Sequence, residues 1–441
     1  MDDKILYYIW LSCTLSPGSK TPKLLLRHFD SISEIYSATK KDYEDAGVSK
    51  YEIPALCNKS LELAKHHYDY CVKNNVAFLC FEDSYYPERL KIIENPPPLF
   101  YYKGRLNLLD DYPCITMVGT RSCSERGFRL AYNIGYDAAS KGAVIVNGLA
   151  LGIDGACIAG ALDANGYAVG LLGCGIDRIY PYGNKDLFER LFASGLVMTE
   201  FAPFTEPAGK NFPVRNRVMS ALSVATAVFE AADGSGAMIT AKHASEQGRR
   251  IFAVPGKPYD KTYAGPLELI KDGATVFTEA DDILTEYAMS FPHRINLANI
   301  NTPPSDKLDS LVARYFKKDT DPDAPVNRRF SKKTAANTNT DARGVAKTVE
   351  KAEHKVQQAF IQTDSSETKT QTDNNSTTHD LSLLSVTEKQ IYDIICNSNG
   401  ISPDEIAEQG MKIDDILSTL TLLEIYGLIK ALPGGKYHAN K

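Results

Sequence analysis

Four glycine-bearing segments each follow a short apolar run, and each could turn backbone N–H groups toward an anion. They read Val118-Gly119-Thr120-Arg121-Ser122, Asn147-Gly148-Leu149-Ala150-Leu151-Gly152-Ile153-Asp154, Gly173-Cys174-Gly175 and Asp233-Gly234-Ser235-Gly236-Ala237. Glycine lets the backbone approach a phosphate, and a helix starting at such a loop offers unpaired N–H donors. One such loop reads as structural tightness. Four of them with cations alongside point to phosphate. The cations are Arg121, Arg126, Arg178, Lys185, Lys210, Arg215, Arg217, Lys242 and Lys257. Arg121 directly follows a strand-like run, where a guanidinium can pair bidentately with phosphate oxygens. Lys210-Asn211-Phe212-Pro213-Val214-Arg215-Asn216-Arg217 interleaves cations with an aromatic ring. A cation that tracks the backbone beside a ring that stacks on a base is a common way to hold single-stranded nucleic acid. The alternative for Arg215 and Arg217 is a helix on which one is solvated and the other pairs with Glu230 or Glu200. The candidate phosphate-binding set is Gly119, Arg121, Ser122, Gly148, Gly152, Gly173, Gly175, Lys185, Lys210, Phe212, Arg215, Asn216, Arg217, Ser235 and Gly236.

Catalytic chemistry has thinner support. The eight histidines are dispersed, and none in the central block has a partner at metal-ligand spacing. His66-His67 reads as a solvated pair on a polar helical face. Neither a GxSxG elbow nor a GxxxxGK[ST] phosphate loop is present. Asp154 and Glu230 could serve as acid or base. Their simpler roles are structural: Asp154 capping its helix through backbone N–H groups, Glu230 orienting an arginine or a loop amide. No catalytic residue, metal or cofactor is therefore expected.

The elements that must position these residues follow from patterning. The 441 residues allow two to four domains. Hydrophobic residues at 43% and charged residues at 24% are ordinary for a globular chain. No apolar run is long enough to cross a membrane, and MDDKILYYIW lacks the basic region of a signal peptide. Nine scattered cysteines without a CxxC pair suggest reduced thiols and a cytoplasmic protein. The net charge of −6 means that any nucleic-acid binding must come from a local basic surface.

Residues 1–75 carry helical periodicity, and 76–109 look like an ordered bridge. Between 110 and 290 the apolar runs 114–118, 143–146, 167–172, 196–200, 224–230 and 250–255 alternate with helical stretches. This predicts an α/β fold with a parallel sheet covered on both faces and ligands at the carboxyl ends of its strands. Residues 291–380 are polar and read as a flexible linker with a short helix near 345–360. In 381–441, helices from Thr387, from Ser402-Pro403 and over 413–426 precede a hairpin at Pro433-Gly434-Gly435. Three helices and a β-wing form the winged-helix arrangement.

Six motifs in register resemble the DprA/Smf family of bacterial DNA-processing proteins. They are VGTR at 118–121, NGLALGID at 147–154, LLGCGIDRIYP at 171–181, FPVRNRVMSALS at 212–223, VFEAADGSGAMITAKHASEQGR at 228–249 and FAVPG at 252–256. The resemblance is strong over about residues 80–280. It implies an extended Rossmann-like core with a sterile-alpha-motif-like helical domain in front and a winged helix behind. It further implies a homodimer that binds single-stranded DNA, protects incoming DNA and loads the RecA recombinase during natural transformation. Arg121 would line the DNA pocket with Lys210, Phe212, Arg215 and Arg217.

Some positions depart from the family pattern. Asn147 stands where serine is usual and Ile158 where a histidine is expected. Tyr182 occupies a position that is often basic, which removes a charge from the groove and leaves Lys185 as the nearest cation. Tyr263 and Leu267 replace a serine and an asparagine. A rival reading is a nucleotide-binding hydrolase on a related scaffold, with Glu230 beside the Gly234–Gly236 loop. Phosphoribohydrolases of that kind resemble P-G-G-x-G-T-x-x-E there, and DGSGAMITAKHA lacks the acid. A transcription regulator working through the winged helix is a third reading. It is disfavoured because the third helix sets Asp414, Asp415 and Glu424 against Lys412.

Overall fold

The protein is represented by a computed structural model that describes residues 3–299 and 301–316. Toward the carboxyl terminus it describes 386–398, 400–407, 416, 419–420, 423, 428–432 and 436–439. The described residues up to Phe316 belong to one compact unit and those from Val386 to a second.

The helical periodicity at the start resolves into α1 (Asp3–Thr14), α2 (Thr21–His28), α3 (Ile32–Ser37), α4 (Lys40–Asp45), α5 (Ile53–Cys57) and α6 (Glu62–Lys73). Local chemistry sets their ends. Ser31 accepts from the Glu34 amide at α3, and Thr39 and Asp42 form a reciprocal capping box at α4. Pro22 and Pro54 sit in the first turns of α2 and α5, where a missing N–H leaves no bond unmade. Leu6, Ile9 and Trp10 of α1 belong to the same buried apolar cluster as Tyr101 and Ile115 farther along the chain. The helices and the sheet thus share one continuous core.

Residues 76–109, expected as an ordered bridge, are ordered and also contribute β1 (Ala77–Cys80), α7 (Glu88–Lys91) and β2 (Leu99–Gly104). Pro96-Pro97-Pro98 immediately before β2 made that strand hard to read. The alternating block then runs β3 (Cys114–Val118), α8 (Glu125–Ser140), β4 (Val144–Asn147), α9 (Ile153–Asp163), β5 (Ala168–Leu171), α10 (Lys185–Ser194) and β6 (Leu196–Thr199). It continues through α11 (Asn211–Leu222), β7 (Ala225–Val228), α12 (Gly236–Glu246), β8 (Arg250–Ala253), α13 (Ala264–Lys271), β9 (Thr275–Val276) and α14 (Asp281–Leu284). The nine strands form one sheet in the order β1-β2-β6-β5-β4-β3-β7-β8-β9. Strands β3 to β9 pair in parallel, whereas β1–β2 and β2–β6 pair antiparallel. The Rossmann-like parallel sheet therefore has an antiparallel edge that the periodicity did not announce.

Strand alternation divides the core. Ile115 and Met117 of β3 enter the cluster that holds Ala131 of α8 and Cys157 of α9. Cys114 and Val118 enter the one that holds Met219 of α11 and Ala241 of α12. Helices α8 and α9 approach so closely that a Cβ at Gly160 would lie 2.1 Å from the Tyr132 carbonyl.

Two expectations are corrected here. The linker was expected from 291, yet Ser305–Phe316 form a helix, α15, whose Leu308 and Val312 are buried against the main core. An amphipathic spacing of Leu308, Leu311, Val312 and Tyr315 carried that signal, and the polar composition around it obscured it. Residues 317–385, including the helix expected near 345–360, lie outside the described residues. His66-His67 was expected to be solvated, but His67 is 6% exposed, with its Nδ1 3.4 Å from Cys13 Sγ. The Phe204 ring packs on both histidines.

The second unit contains α16 (Val386–Cys396), α17 (Pro403–Ala407) and an antiparallel pair, β10 (Ile429–Leu432) and β11 (Lys436–Ala439). Ser402 and Glu405 cap α17 reciprocally. Ile391, Ile395, Ile406, Leu420 and Leu423 share its core. Most of the expected 413–426 helix and the Pro433-Gly434-Gly435 turn lie outside the described residues. Among the described residues no helix is long and apolar enough to cross a membrane.

Two outcomes follow from this packing. Burial, and then the neighbouring His66, pull the His67 imidazole down to about 4. The unfolded chain binds a proton near 6.5 and the folded one does not, so stability is lost as pH falls from about 6.5 to about 4. Urea unfolding across that window should show a loss of roughly 3 kcal/mol, and His67→Gln should flatten the profile. Gly160→Ala should favour the helix by up to ~1 kcal/mol, but the collision with Tyr132 outweighs this. The expected net loss in urea unfolding is about 1–3 kcal/mol.

Candidate nucleic-acid interface

The carboxyl ends of β3, β4 and β5 and the start of α11 surround one open pocket. Its walls include Arg121, Gly148, Leu151, Gly173, Tyr180, Phe212 and Arg215. Ligands were expected at the carboxyl ends of the strands, where a doubly wound sheet opens a crevice at its switch point, here between β3 and β7. Glu230 fills that crevice instead. Its carbonyl accepts from the Thr120 amide at 2.6 Å. Its carboxylate accepts from the Ser124 amide at 2.7 Å, from the Ser124 hydroxyl, and from the Tyr263 hydroxyl at 3.3 Å. Glu230 therefore orients a loop amide, that of Ser124, whose hydroxyl in turn caps α8 by accepting from the Gly127 amide. With both oxygens engaged and only 1% exposure, the Glu230 carboxylate braces the start of α8.

Arg215 forms the floor. It is 6% exposed, and its Nη1 donates to the Gly148 carbonyl at 3.1 Å and to the Leu171 carbonyl, while Nε donates to Asn216 Oδ1 at 3.0 Å. The guanidinium thus satisfies carbonyls at the ends of β4 and β5 that no further strand could reach. Burial lowers its proton affinity, Asp154 restores part of it and Arg121 opposes it. The result, about 10, leaves the group charged at neutral pH. Asp154 is buried, and burial raises its carboxyl above the usual range, with Arg215 and the Gly148 amide pulling it back. The carboxylate accepts from the Gly148 amide at 3.1 Å, so it pins the β4 loop and does not cap its own helix as expected. Asn147 completes the loop, accepting from the Leu149 amide and donating to the Asp154 carbonyl.

Arg121 stands at the rim. Its side chain is exposed, and among the described residues no carboxylate pairs with it. Its guanidinium carbon lies 5.4 Å from the centroid of the Phe212 ring, and that of Arg215 lies 5.9 Å from the same centroid. Tyr180 stacks on Phe212 at 5.8 Å. Phe212 is thus engaged on the protein side by a tyrosine and two cations. Gly173 backs this ring so tightly that a Cβ there would sit 2.8 Å from Phe212 Cδ1. Gly152, at φ +77°, lies against the Thr120 and Arg121 carbonyls, which a side chain would strike at 2.4 and 2.6 Å.

The remaining predicted residues separate. Gly119 packs against Ile153, and Ser122 is exposed beside Arg121, its amide donating to Thr120 Oγ1. Lys210 is exposed at the entrance to α11. Lys185 pairs with Glu189 at 3.3 Å and does not line the pocket. Gly175 packs against Asp177 and the Phe204 amide. Asn216 is buried and donates to the Gly236 carbonyl, joining α11 to the Ser235-Gly236 turn, which lies beyond β7 and outside the pocket lining. Arg217 points away from the pocket, and its Nη2 donates to Glu200 at 2.6 Å in a fully buried ion pair. The two arginines two residues apart thus take different roles: Arg217 is the paired one, Arg215 the pocket floor. Sequence reading missed Tyr180, whose aromatic-proline step stood inside the quoted LLGCGIDRIYP segment without a role.

Comparison with known proteins matches residues 77–288 to the family described as DNA recombination-mediator protein A. The chain is 40% identical over 215 residues to Protein Smf of Synechocystis sp., a match covering 48% of this chain and 54% of that protein. It is 39% identical over 201 residues to DNA processing protein DprA of Bacillus subtilis, covering 46% of this chain and 68% of that one. The crystal structure of DNA processing protein A from Streptococcus pneumoniae superposes with a TM-score of 0.56 at 29% identity, covering 63% of this chain and 97% of that chain. The chain thus spans about half the length of the Synechocystis relative.

Because Arg217 neutralises Glu200 in the interior, Arg217→Met should strand a buried carboxylate. Urea unfolding should show a loss of about 3–5 kcal/mol.

Proposed function

Since the chain belongs to the DprA/Smf family, we propose that it is a non-enzymatic single-stranded DNA-binding protein that protects incoming DNA and loads the RecA recombinase during natural transformation. The observation that carries this reading is the pairing of an exposed arginine without a carboxylate partner, Arg121, with the buried Arg215 across one aromatic ring in one pocket. Two guanidiniums converge there, and among the described residues Asp154 is the carboxylate that offsets them. Such a site attracts phosphate although the chain carries a net charge of −6.

In this reading Arg121 contacts the DNA backbone, the glycines at 148 and 173 keep the floor open to it, and Gly119 supports the loop that carries Arg121. Phe212 holds the two cations in place, and Lys210 extends the positive path along the entrance to α11. Ser122 adds a hydroxyl at the rim. Gly152, Gly175, Asn216, Ser235 and Gly236 support the loops, and Arg217 supports the interior. The proposal includes a homodimer, a cytoplasmic location, a sterile-alpha-motif-like arrangement for α1–α6 and a winged helix for 381–441. No cofactor is required.

Phosphate contacts position a strand without reading its bases. Affinity for a labelled oligonucleotide should therefore fall as salt rises, with single strands preferred over duplex in fluorescence anisotropy. Arg121→Ala should weaken binding to all sequences alike and reduce the log–log salt slope by about one. Wild-type protein with no single-strand preference at moderate salt would sink the reading.

A further inference from the structure

Helix α15 lies outside the segment that carries the family match, yet it ends on the pocket rim. The first part of the helix is anchored to the core. Leu308 and Val312 are buried, Asp309 pairs with Arg129 of α8 at 2.7 Å, and Lys307 lies 3.5 Å from Asp163 at the end of α9. Its last turn reaches two loops at once. The Tyr315 hydroxyl donates to the main-chain carbonyl of Arg121. Arg314 pairs with Asp186 in the first turn of α10. Just before that turn, Asn184 donates to the carbonyls of Leu149 and Ala150 in the β4 loop at 2.9 and 2.8 Å.

We propose that α15 is a strap across the rim, with Tyr315 a positioning residue that sets the Arg121 loop for DNA. The inference rests on the pocket being the single-stranded DNA site. The Arg121 side chain has no carboxylate partner among the described residues and touches the Phe212 ring, so its backbone sets where the guanidinium starts from. Three bonds contribute: the Thr120 amide donates to the Glu230 carbonyl at 2.6 Å, the Thr120 carbonyl accepts from the Ile153 amide at 3.3 Å, and the Arg121 carbonyl itself accepts from Tyr315. The ring of Tyr315 is itself held 4.9 Å from that of Phe128 in α8. A loop held this way has less freedom to lose when phosphate binds, which raises affinity without adding a contact.

The test is oligonucleotide anisotropy on the full chain as wild type, Tyr315→Phe, Arg121→Ala and the double variant, with thermal midpoints alongside. Tyr315→Phe keeps the ring packing and removes only the hydroxyl. It should lower single-strand affinity about three- to tenfold and move the salt slope toward that of Arg121→Ala. In the Arg121→Ala background it should have no further effect, because the strap acts through that side chain. Arg314→Ala, whose ion pair is exposed on both sides, should weaken binding in the same direction while leaving the fold intact. It carries the test if Tyr315→Phe proves unstable. Equal losses in both backgrounds, or wild-type affinity in both Tyr315→Phe and Arg314→Ala, overturn the strap alone. A wild-type chain that ignores single strands overturns the function reading and the strap with it.

Discussion

A charged guanidinium in the interior needs its donors filled and its charge offset, and the Arg215 site is organised around that requirement. Two strand-end carbonyls, those of Gly148 and Leu171, take its Nη1 protons, and Asp154 supplies the opposite charge. Asp154 also holds the Gly148 amide, so the same two side chains fix both polar groups of one glycine. A Cβ at Gly148 would lie 2.3 Å from Arg215 Nη2, which makes glycine a condition of this placement of the guanidinium. With Arg215 fixed, Phe212 one turn earlier is brought over Gly173 and against Tyr180. The shape of the pocket is thus a consequence of how one buried cation is satisfied.

Glu230 decides where the pocket opens. A doubly wound sheet leaves a crevice between β3 and β7, and related folds use such crevices for ligands. Here the carboxylate spans that gap to Ser124 and Tyr263, bracing the start of α8. The same interaction that stabilises a helix end closes one ligand route and leaves the β3–β5 side open. Tyr263, one of the departures from the family pattern, takes part in that closure.

The periphery is tied to this centre by buried contacts. The Arg217–Glu200 pair sits close to the Pro17-Gly18 turn, where a Cβ at Gly18 would come within 3.5 Å of Arg217 Nε. Phe204, at φ +70°, rests on His66, His67 and Tyr70 of α6. The loop between β6 and α11 is therefore held by the amino-terminal helices at one end and by the pocket residues at the other. Helix α15 is tied to the same centre through α8.

Local signals carried much of this. Short apolar runs marked the strands of the 110–290 block and a 3.6-residue period the helices between them, because a strand covered on both faces is apolar throughout and a helix must bury one face. Glycines after strands marked the loops, since close backbone approach excludes a side chain. Family motifs placed Arg121, Phe212 and Arg215 together. What sequence could not decide was partnership between distant residues. Whether Arg215 or Arg217 took Glu200 depended on which face of α11 met β6, and periodicity allowed either. That β2 joined β6 antiparallel, that His67 lay under Phe204 and that Tyr315 reached the Arg121 carbonyl depend on contacts between residues 98 (Tyr101 and Thr199), 137 and 194 positions apart. Composition and spacing determined which elements form and which loops can meet a phosphate. Only the closed tertiary structure decided which charge was buried and which was left to the solvent, because that choice is made by desolvation after the elements have packed.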